Sequence, residues 1–232
     1  MIVFDVDGTL VGGELIDWAS FGAAFEDAAG FRLTAQFFAN LEEVTAQAIV
    51  HQALPQHPLE EKKRIENDVR ANYLRYLKES HAVDRGCFPA LEGALALLQE
   101  LKDRGMRVAI ATGDWRESIS FKLGAAGFMI DGIPLVTSSE FYSRAEIIAG
   151  AVKMAGGSLE EAVYVGDGVW DLRACRKLGI PFIGVGNKRE KLLEAEATHV
   201  LLNLNSSEFW RAHAEVGATR LEMGRLNNLR ID

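Results

Sequence analysis

From Leu91 onward the chain alternates helical and strand-like segments, and this alternation limits the possible folds more than any other feature. Leu91, Ala94, Leu95, Leu98 and Leu101 recur at helical spacing, Gly105 ends that helix, and Arg107-Val-Ala-Ile-Ala111 reads as a buried strand. The pattern then repeats, with helices expected over 145–155, 170–178 and 188–197 and strands over 162–165, 181–185 and 199–202. Ile2-Val3-Phe4 supplies a further short strand at the start. Alternation of this length implies right-handed crossovers and a parallel sheet with helices on both faces. Ligands in such an α/β architecture sit beyond the carboxyl ends of the strands. The tail from Val216 carries no readable pattern.

Residues 14–85 break the alternation. Phe21, Phe25 and Ala28, then Leu41, Val44 and Ala48, fall at helical spacing with no strand-like run between them. Pro55 and Pro58 interrupt this stretch, and the charged segment 60–70 resumes a helix through Tyr73, Leu74 and Leu77. The expected organisation is a core of residues 1–13 and 86–232 with a smaller α-helical domain, 14–85, inserted after the first strand.

The chain has 232 residues, 48% of them hydrophobic, enough to bury a sizeable core. No apolar run approaches the roughly 20 residues of a membrane-spanning helix, so no membrane association is expected. Met1 leads straight into a strand, leaving no room for a signal peptide, and the expected location is cytoplasmic. Cys87 and Cys175 lie far apart and in no metal-ligand spacing, which predicts two reduced core thiols. The formal net charge of −8 argues against a general nucleic-acid binder. It also means that a site for an anion needs a bound cation and a few placed basic groups to reverse the local field.

Four constellations fall at strand ends. Asp5-Val6-Asp7-Gly8-Thr9 arises by chance in a chain of this length with probability on the order of 10⁻³. Its two carboxylates share one small site if the backbone turns at Gly8. Gly166-Asp167-Gly168-Val169-Trp170-Asp171 is weaker alone, because a helix start with Asp167 as cap and Asp171 in the first turn also explains it. Thr112-Gly113-Asp114 offers a hydroxyl and free backbone N–H groups for an anion, or merely a helix cap. Arg144 is a cation at the start of a helix, a position that a solvated surface arginine also fills.

Taken together and in this order, the four motifs resemble the haloacid-dehalogenase-like superfamily over about residues 1–204. The similarity is to its phosphatase branch with a helical cap after the first motif, as in the phosphoglycolate-phosphatase-like members. The resemblance implies a Rossmann-like catalytic core and a magnesium-dependent phosphatase that hydrolyses a small phosphorylated metabolite through an aspartyl-phosphate intermediate. Asp5 matches the nucleophile and Asp7 the general acid and base. Magnesium would be held by Asp5, the Asp7 carbonyl, Asp167 and Asp171, the last through water. Thr112, the Gly113 N–H and Arg144 would hold the phosphoryl oxygens. Electrostatics agrees with a divalent cation, since each close pair among Asp5, Asp167, Asp171 and a phosphate repels by roughly 4 kcal/mol at an effective dielectric of 20. Hard oxygen donors with no thiol or imidazole suit magnesium.

Arg144 departs from the family pattern in replacing a common lysine and in lacking the proline that often follows it; Lys122 and Lys153 are its rivals, both inside predicted helices. Asp7 and Thr9 separate the chain from the dehalogenases, which lack the second aspartate. The other readings are a sugar-phosphate mutase or phosphotransferase of the same family, and a non-catalytic phosphate-binding regulatory module. The five histidines have no catalytic or zinc spacing. Trp18 is the aromatic placed to reach the site, although packing is the commoner use of such a residue.

Overall fold

The computed structural model describes residues 1–228, with side chains through residue 218. A six-stranded parallel sheet runs in the order β3-β2-β1-β4-β5-β6. Its strands are β1 (Ile2–Phe4), β2 (Val108–Ala111), β3 (Leu135–Val136), β4 (Val163–Gly166), β5 (Phe182–Val185) and β6 (Val200–Leu201). The short strands remain ordered because both faces are covered. Ile2 and Phe4 point into one apolar cluster with Leu97, Leu101, Ile119 and Phe209, while Val3 points into the other with Ile147, Ile148, Ala151 and Leu172.

The first cluster is closed by α5 (Ala94–Asp103), α6 (Arg116–Ala125) and α10 (Ser206–Asn228), the second by α7 (Arg144–Met154), α8 (Val169–Leu178) and α9 (Arg189–Glu194). The expected fold, an α/β Rossmann-like sheet flanked by helices, is therefore what the chain adopts. The sequence had not indicated the edge strand β3, whose two residues are too few to show a period. Strand order reverses at β1, which lies between β2 and β4, and the crevice beyond their carboxyl ends is the usual ligand position in such sheets.

Between β1 and α5 the chain forms α1 (Glu14–Ala29), α2 (Ala35–Ala39), α3 (Ala46–Ala53) and α4 (Leu59–Val83). Pro58 caps α4, and no strand lies between α1 and α4. Helices α1 and α4 pack through Phe21 and Tyr73, whose rings meet edge to face at 5.6 Å, and Phe21 also stacks on Trp115 of the core at 5.9 Å. The chain leaves and re-enters the core side by side. Gly12 N donates to Pro89 O at 2.8 Å and Leu91 N to Leu10 O at 2.9 Å. Cys87 and Cys175 are buried free thiols.

Candidate active site

The four motifs converge in the crevice at the strand-order reversal. Asp5 follows β1, Thr112 and Gly113 follow β2, Arg144 begins α7, and Asp167 and Asp171 flank the start of α8. Asp5, Thr112, Arg144, Asp167 and Asp171 are all buried. With Asp7 and Gly113, several of them line a cavity of about 80 Å³ that also meets Trp18, Phe21, Val44 and Tyr73 of the inserted helices.

Glycines make the crowding possible. At Gly8 the backbone adopts φ +76°, and an added Cβ would stand 2.1 Å from Asp167 Oδ2, so both conformation and space require glycine there. At Gly113 the limit is space alone, because a Cβ would lie 2.7 Å from Arg144 Nη2. The Gly-rich character of these motifs is thus the imprint of carboxylates and a guanidinium drawn close to the main chain.

One oxygen each from Asp5, Asp167 and Asp171 lies within 4.8 Å of the others. Arg144 is set against this group, with Nη1 donating to Asp5 Oδ1 at 3.1 Å and Nε lying 3.4 Å from Asp171 Oδ1. Burial disfavours its charge, but Asp171 and Asp5 outweigh that and hold the guanidinium protonated more tightly than usual. Arg144 also donates to Val44 O at 3.2 Å. Of its rivals, Lys153 is exposed on α7, and Lys122 is engaged elsewhere, as described below.

Asp171 accepts from Gly168 N at 3.1 Å, so it closes the first turn of α8 while facing the cluster. Burial raises its pKa well above the usual carboxylate range, against the opposing pull of Arg144. The cap of α8 is Gly168, not Asp167. Asp167 instead forms an ion pair with Lys188 at 2.5 Å. Burial pushes its pKa up to about 7 despite that pairing, and its other oxygen, Oδ1, is buried without a hydrogen-bond partner. A buried acceptor with no donor, beside two further carboxylates, is a fit for a hard divalent cation. Asp5, Asp167 and Asp171 are the side chains that would hold it.

Asp7 belongs to a second group of carboxylates, with Asp17 and Asp114. Its carboxylate lies 2.6 Å from Lys122 Nζ, and the same ammonium meets Asp17 Oδ1 at 2.6 Å and Asp114 Oδ2 at 2.9 Å. Lys122 is wholly buried, and Asp114, Asp17 and Asp7 overcome the effect of burial to hold its proton more tightly than usual. Burial drives the Asp7 pKa upward, with Lys122 opposing it. Asp7 and Asp5 line the same small cavity, with Asp7 paired to Lys122 and Asp5 to Arg144.

Sequence reasoning named Lys122 only as a rival phosphate ligand and gave no role to Asp17, Asp114 or Lys188. Lys188 follows β5 and so obeys the same strand-end rule as the motifs. The junction of Lys122 with Asp17 of the insert had no sequence signal, because its members are up to 105 residues apart. The insert also reaches Gly113 and Arg144 directly. Ala46 N donates to Gly113 O at 2.6 Å, and the Arg144 N–H to Glu43 Oε2 at 3.2 Å. His51 pairs with Glu66 at 2.8 Å, in keeping with a structural reading.

Comparison with known proteins bears on the family and the fold. The chain is 25% identical over 188 residues to a phosphoglycolate phosphatase of Agrobacterium fabrum, covering 80% of this chain and 79% of that one. It is 25% identical over 193 residues to a phosphoserine phosphatase of Methanocaldococcus jannaschii, covering 78% and 82%. Among solved structures, a β-phosphoglucomutase from Clostridium difficile shares the fold with a TM-score of 0.75 at 16% identity, over 95% of this chain and 98% of that one. A hydrolase from Pseudomonas syringae does so with a TM-score of 0.71 at 22% identity, over 88% and 93%. The profile of the haloacid dehalogenase-like hydrolases matches residues 2–185, and the chain belongs to that family.

Proposed function

We propose that the protein is a magnesium-dependent phosphatase that hydrolyses a small phosphate monoester through a phosphorylated Asp5. One observation carries this reading. A buried trio of carboxylates with an orphaned oxygen faces a buried arginine, while a further carboxylate, Asp7, lines the same small cavity as Asp5. The two phosphatase relatives agree with it.

Arg144, the Thr112 hydroxyl and the Gly113 N–H orient the phosphoryl oxygens, and Arg144 stabilises charge on them as the bond to the leaving oxygen lengthens. The Asp5 carboxylate attacks phosphorus, and the Asp7 carboxyl gives its proton to the departing alkoxide. Asp7, now ionised, takes a proton from water as that water attacks the aspartyl phosphate; Asp5 is regenerated and inorganic phosphate leaves. A bound divalent cation would neutralise the Asp5, Asp167 and Asp171 charges and those of the phosphate. The inserted helices form a cap domain, residues 14–85, over the core of residues 1–13 and 86–232, and exclude water from the crevice.

The test is phosphate release from a panel of phosphate esters with magnesium, with calcium, and in chelator. Release is expected with magnesium, suppressed by excess calcium, whose larger coordination number suits the site poorly. It is expected to be absent in Asp5→Asn, which folds normally. Wild-type release by that variant ends the covalent-aspartate reading, and full activity in chelator ends the metal assignment. Isomerisation of a sugar phosphate without phosphate release would identify a mutase instead.

A further inference from the structure

A second and much larger space, about 680 Å³, opens between α1, residues 33–44 and α8. Trp18, Val44, Arg144 and Trp170 border both this groove and the cavity at Asp5. The inner cavity, at about 80 Å³, has room for a phosphoryl group and little of the alcohol that carries it. The groove falls inside the range of roughly 300–1,000 Å³ usual for sites that enclose an organic ligand. A substrate anchored at Arg144 therefore extends past the two tryptophans into it.

The lining describes that ligand. Leu33, Phe38 and Leu41 give an apolar wall, and Trp18 and Trp170 add aromatic rings to the lining. On α8, Trp170, Arg173 and Lys177 share one face by their spacing, with both cations exposed. Arg176, elsewhere on the helix, is tied to the carbonyls of Ala195 and Glu196, whereas among the described residues Arg173 and Lys177 form no ion pair within 4.0 Å, although Lys177 is near enough to help lower the Glu146 pKa. The acidic groups on the opposite rim are Glu42 and Glu43, and Glu43 already accepts from the Arg144 amide.

Gly22 is the second observation. It sits inside α1, one turn beyond Trp18, where glycine weakens a helix relative to alanine. Its conformation is not left-handed, and a Cβ there would meet nothing within 4 Å, so neither backbone nor packing demands it. What its missing side chain preserves is the width of the groove that it lines.

We propose that this groove is the leaving-group site, and that it takes a ring-bearing apolar alcohol with a second anionic group. The ring packs against Trp18 and Trp170 and the anion faces Arg173 and Lys177. The proposal rests on the phosphatase reading above and excludes a two- or three-carbon phosphate ester as the preferred substrate.

The experiment compares kcat/KM for 2-phosphoglycolate, 1-naphthyl phosphate and a carboxylated naphthyl phosphate. The wild type should favour 1-naphthyl phosphate over 2-phosphoglycolate by about tenfold or more, and the carboxylated ester more strongly still. Gly22→Leu fills the groove without touching a reacting residue. It should retain the wild-type circular dichroism and melting, lose about tenfold on both naphthyl esters, and stay within about twofold on 2-phosphoglycolate. Arg173→Ala with Lys177→Ala should erase only the preference for the carboxylated ester. A preference for 2-phosphoglycolate, or a Gly22→Leu effect equal on all three esters, overturns the proposal. If the wild type releases phosphate from none of them, the phosphatase reading fails. Calorimetric binding of 1-naphthyl phosphate to Asp5→Asn, with and without Gly22→Leu, then decides the groove by itself. Equal affinities overturn it, and a loss of about tenfold supports it.

Discussion

Lys122 sits in an environment far from its chemical preference, since a fully buried ammonium is tolerated only where carboxylates surround it. Replacing it by Met leaves Asp7, Asp17 and Asp114 facing one another with no cation between them. Breaking a buried pair from one side typically costs about 3–5 kcal/mol, and denaturant unfolding of Lys122→Met should show a loss of that order. A loss below about 1 kcal/mol, the value of an exposed pair, would mean that this ammonium is not structurally required. Gly113 makes the opposite case. Gly113→Ala places a methyl 2.7 Å from the Arg144 guanidinium at a position with an ordinary backbone, so the fold should survive while the cation shifts. A displacement near 1 Å in a positioned group lowers rate by about 100-fold, and a melting scan beside phosphate-release kinetics separates the two effects. Unchanged kinetics would remove Arg144 from the phosphoryl site.

Among the elements, the junction between insert and core is the most constrained. Gly13 precedes α1 in a left-handed conformation, φ +95°, and an added Cβ would stand 2.3 Å from the Cys87 carbonyl on the returning segment. The two connections therefore pass at a distance only glycine allows, next to the motif that carries Asp5. Strain of this kind costs on the order of 1–3 kcal/mol. Gly13→Ala should lose that stability in urea unfolding and should change kcat and KM together, as hinge substitutions do. A variant with wild-type stability and kinetics would show that the junction is not a hinge. Farther out, residues 43–46 of the insert touch Arg144 and Gly113, so movement of the helices is coupled to these two residues.

For the whole molecule, the balance is electrostatic. A chain of net charge −8 buries three carboxylates at one site with Arg144 as their shared cation and Lys188 beside one of them. A divalent ion binding the folded state alone raises apparent stability by about 2.7 kcal/mol at a hundredfold excess over its Kd. Magnesium should thus raise the melting temperature, chelator should reverse the rise, and Asp167→Asn should abolish most of it. Identical melting curves with and without magnesium would overturn the cation site. Among the described residues no helix is long and apolar enough to cross a membrane.

Local chemistry in the chain was sufficient to announce the α/β alternation, the helical insert and the strand-end motifs. Each rests on spacing within about ten residues, as in Arg107–Ala111 or Asp5-Val-Asp-Gly-Thr, and burial on both faces of a sheet imposes that spacing wherever it occurs. Family order then pointed to Asp5, Asp7, Thr112, Gly113, Arg144, Asp167 and Asp171, and the crevice brings these together. What had no local period stayed hidden: the two-residue strand β3, the strand order, and the pairing of Lys122 with Asp7, Asp17 and Asp114. The sequence favoured Arg144 over Lys122 beside Asp5 because Arg144 stands at a helix start and Lys122 inside a helix, but it gave no role to Lys122. Only the packing of α6 and α7 against opposite faces of the sheet turns one toward Asp5 and Asp171 and the other toward Asp7. The groove at Gly22 is likewise tertiary, since an absent side chain leaves no mark until three segments enclose the space it vacates.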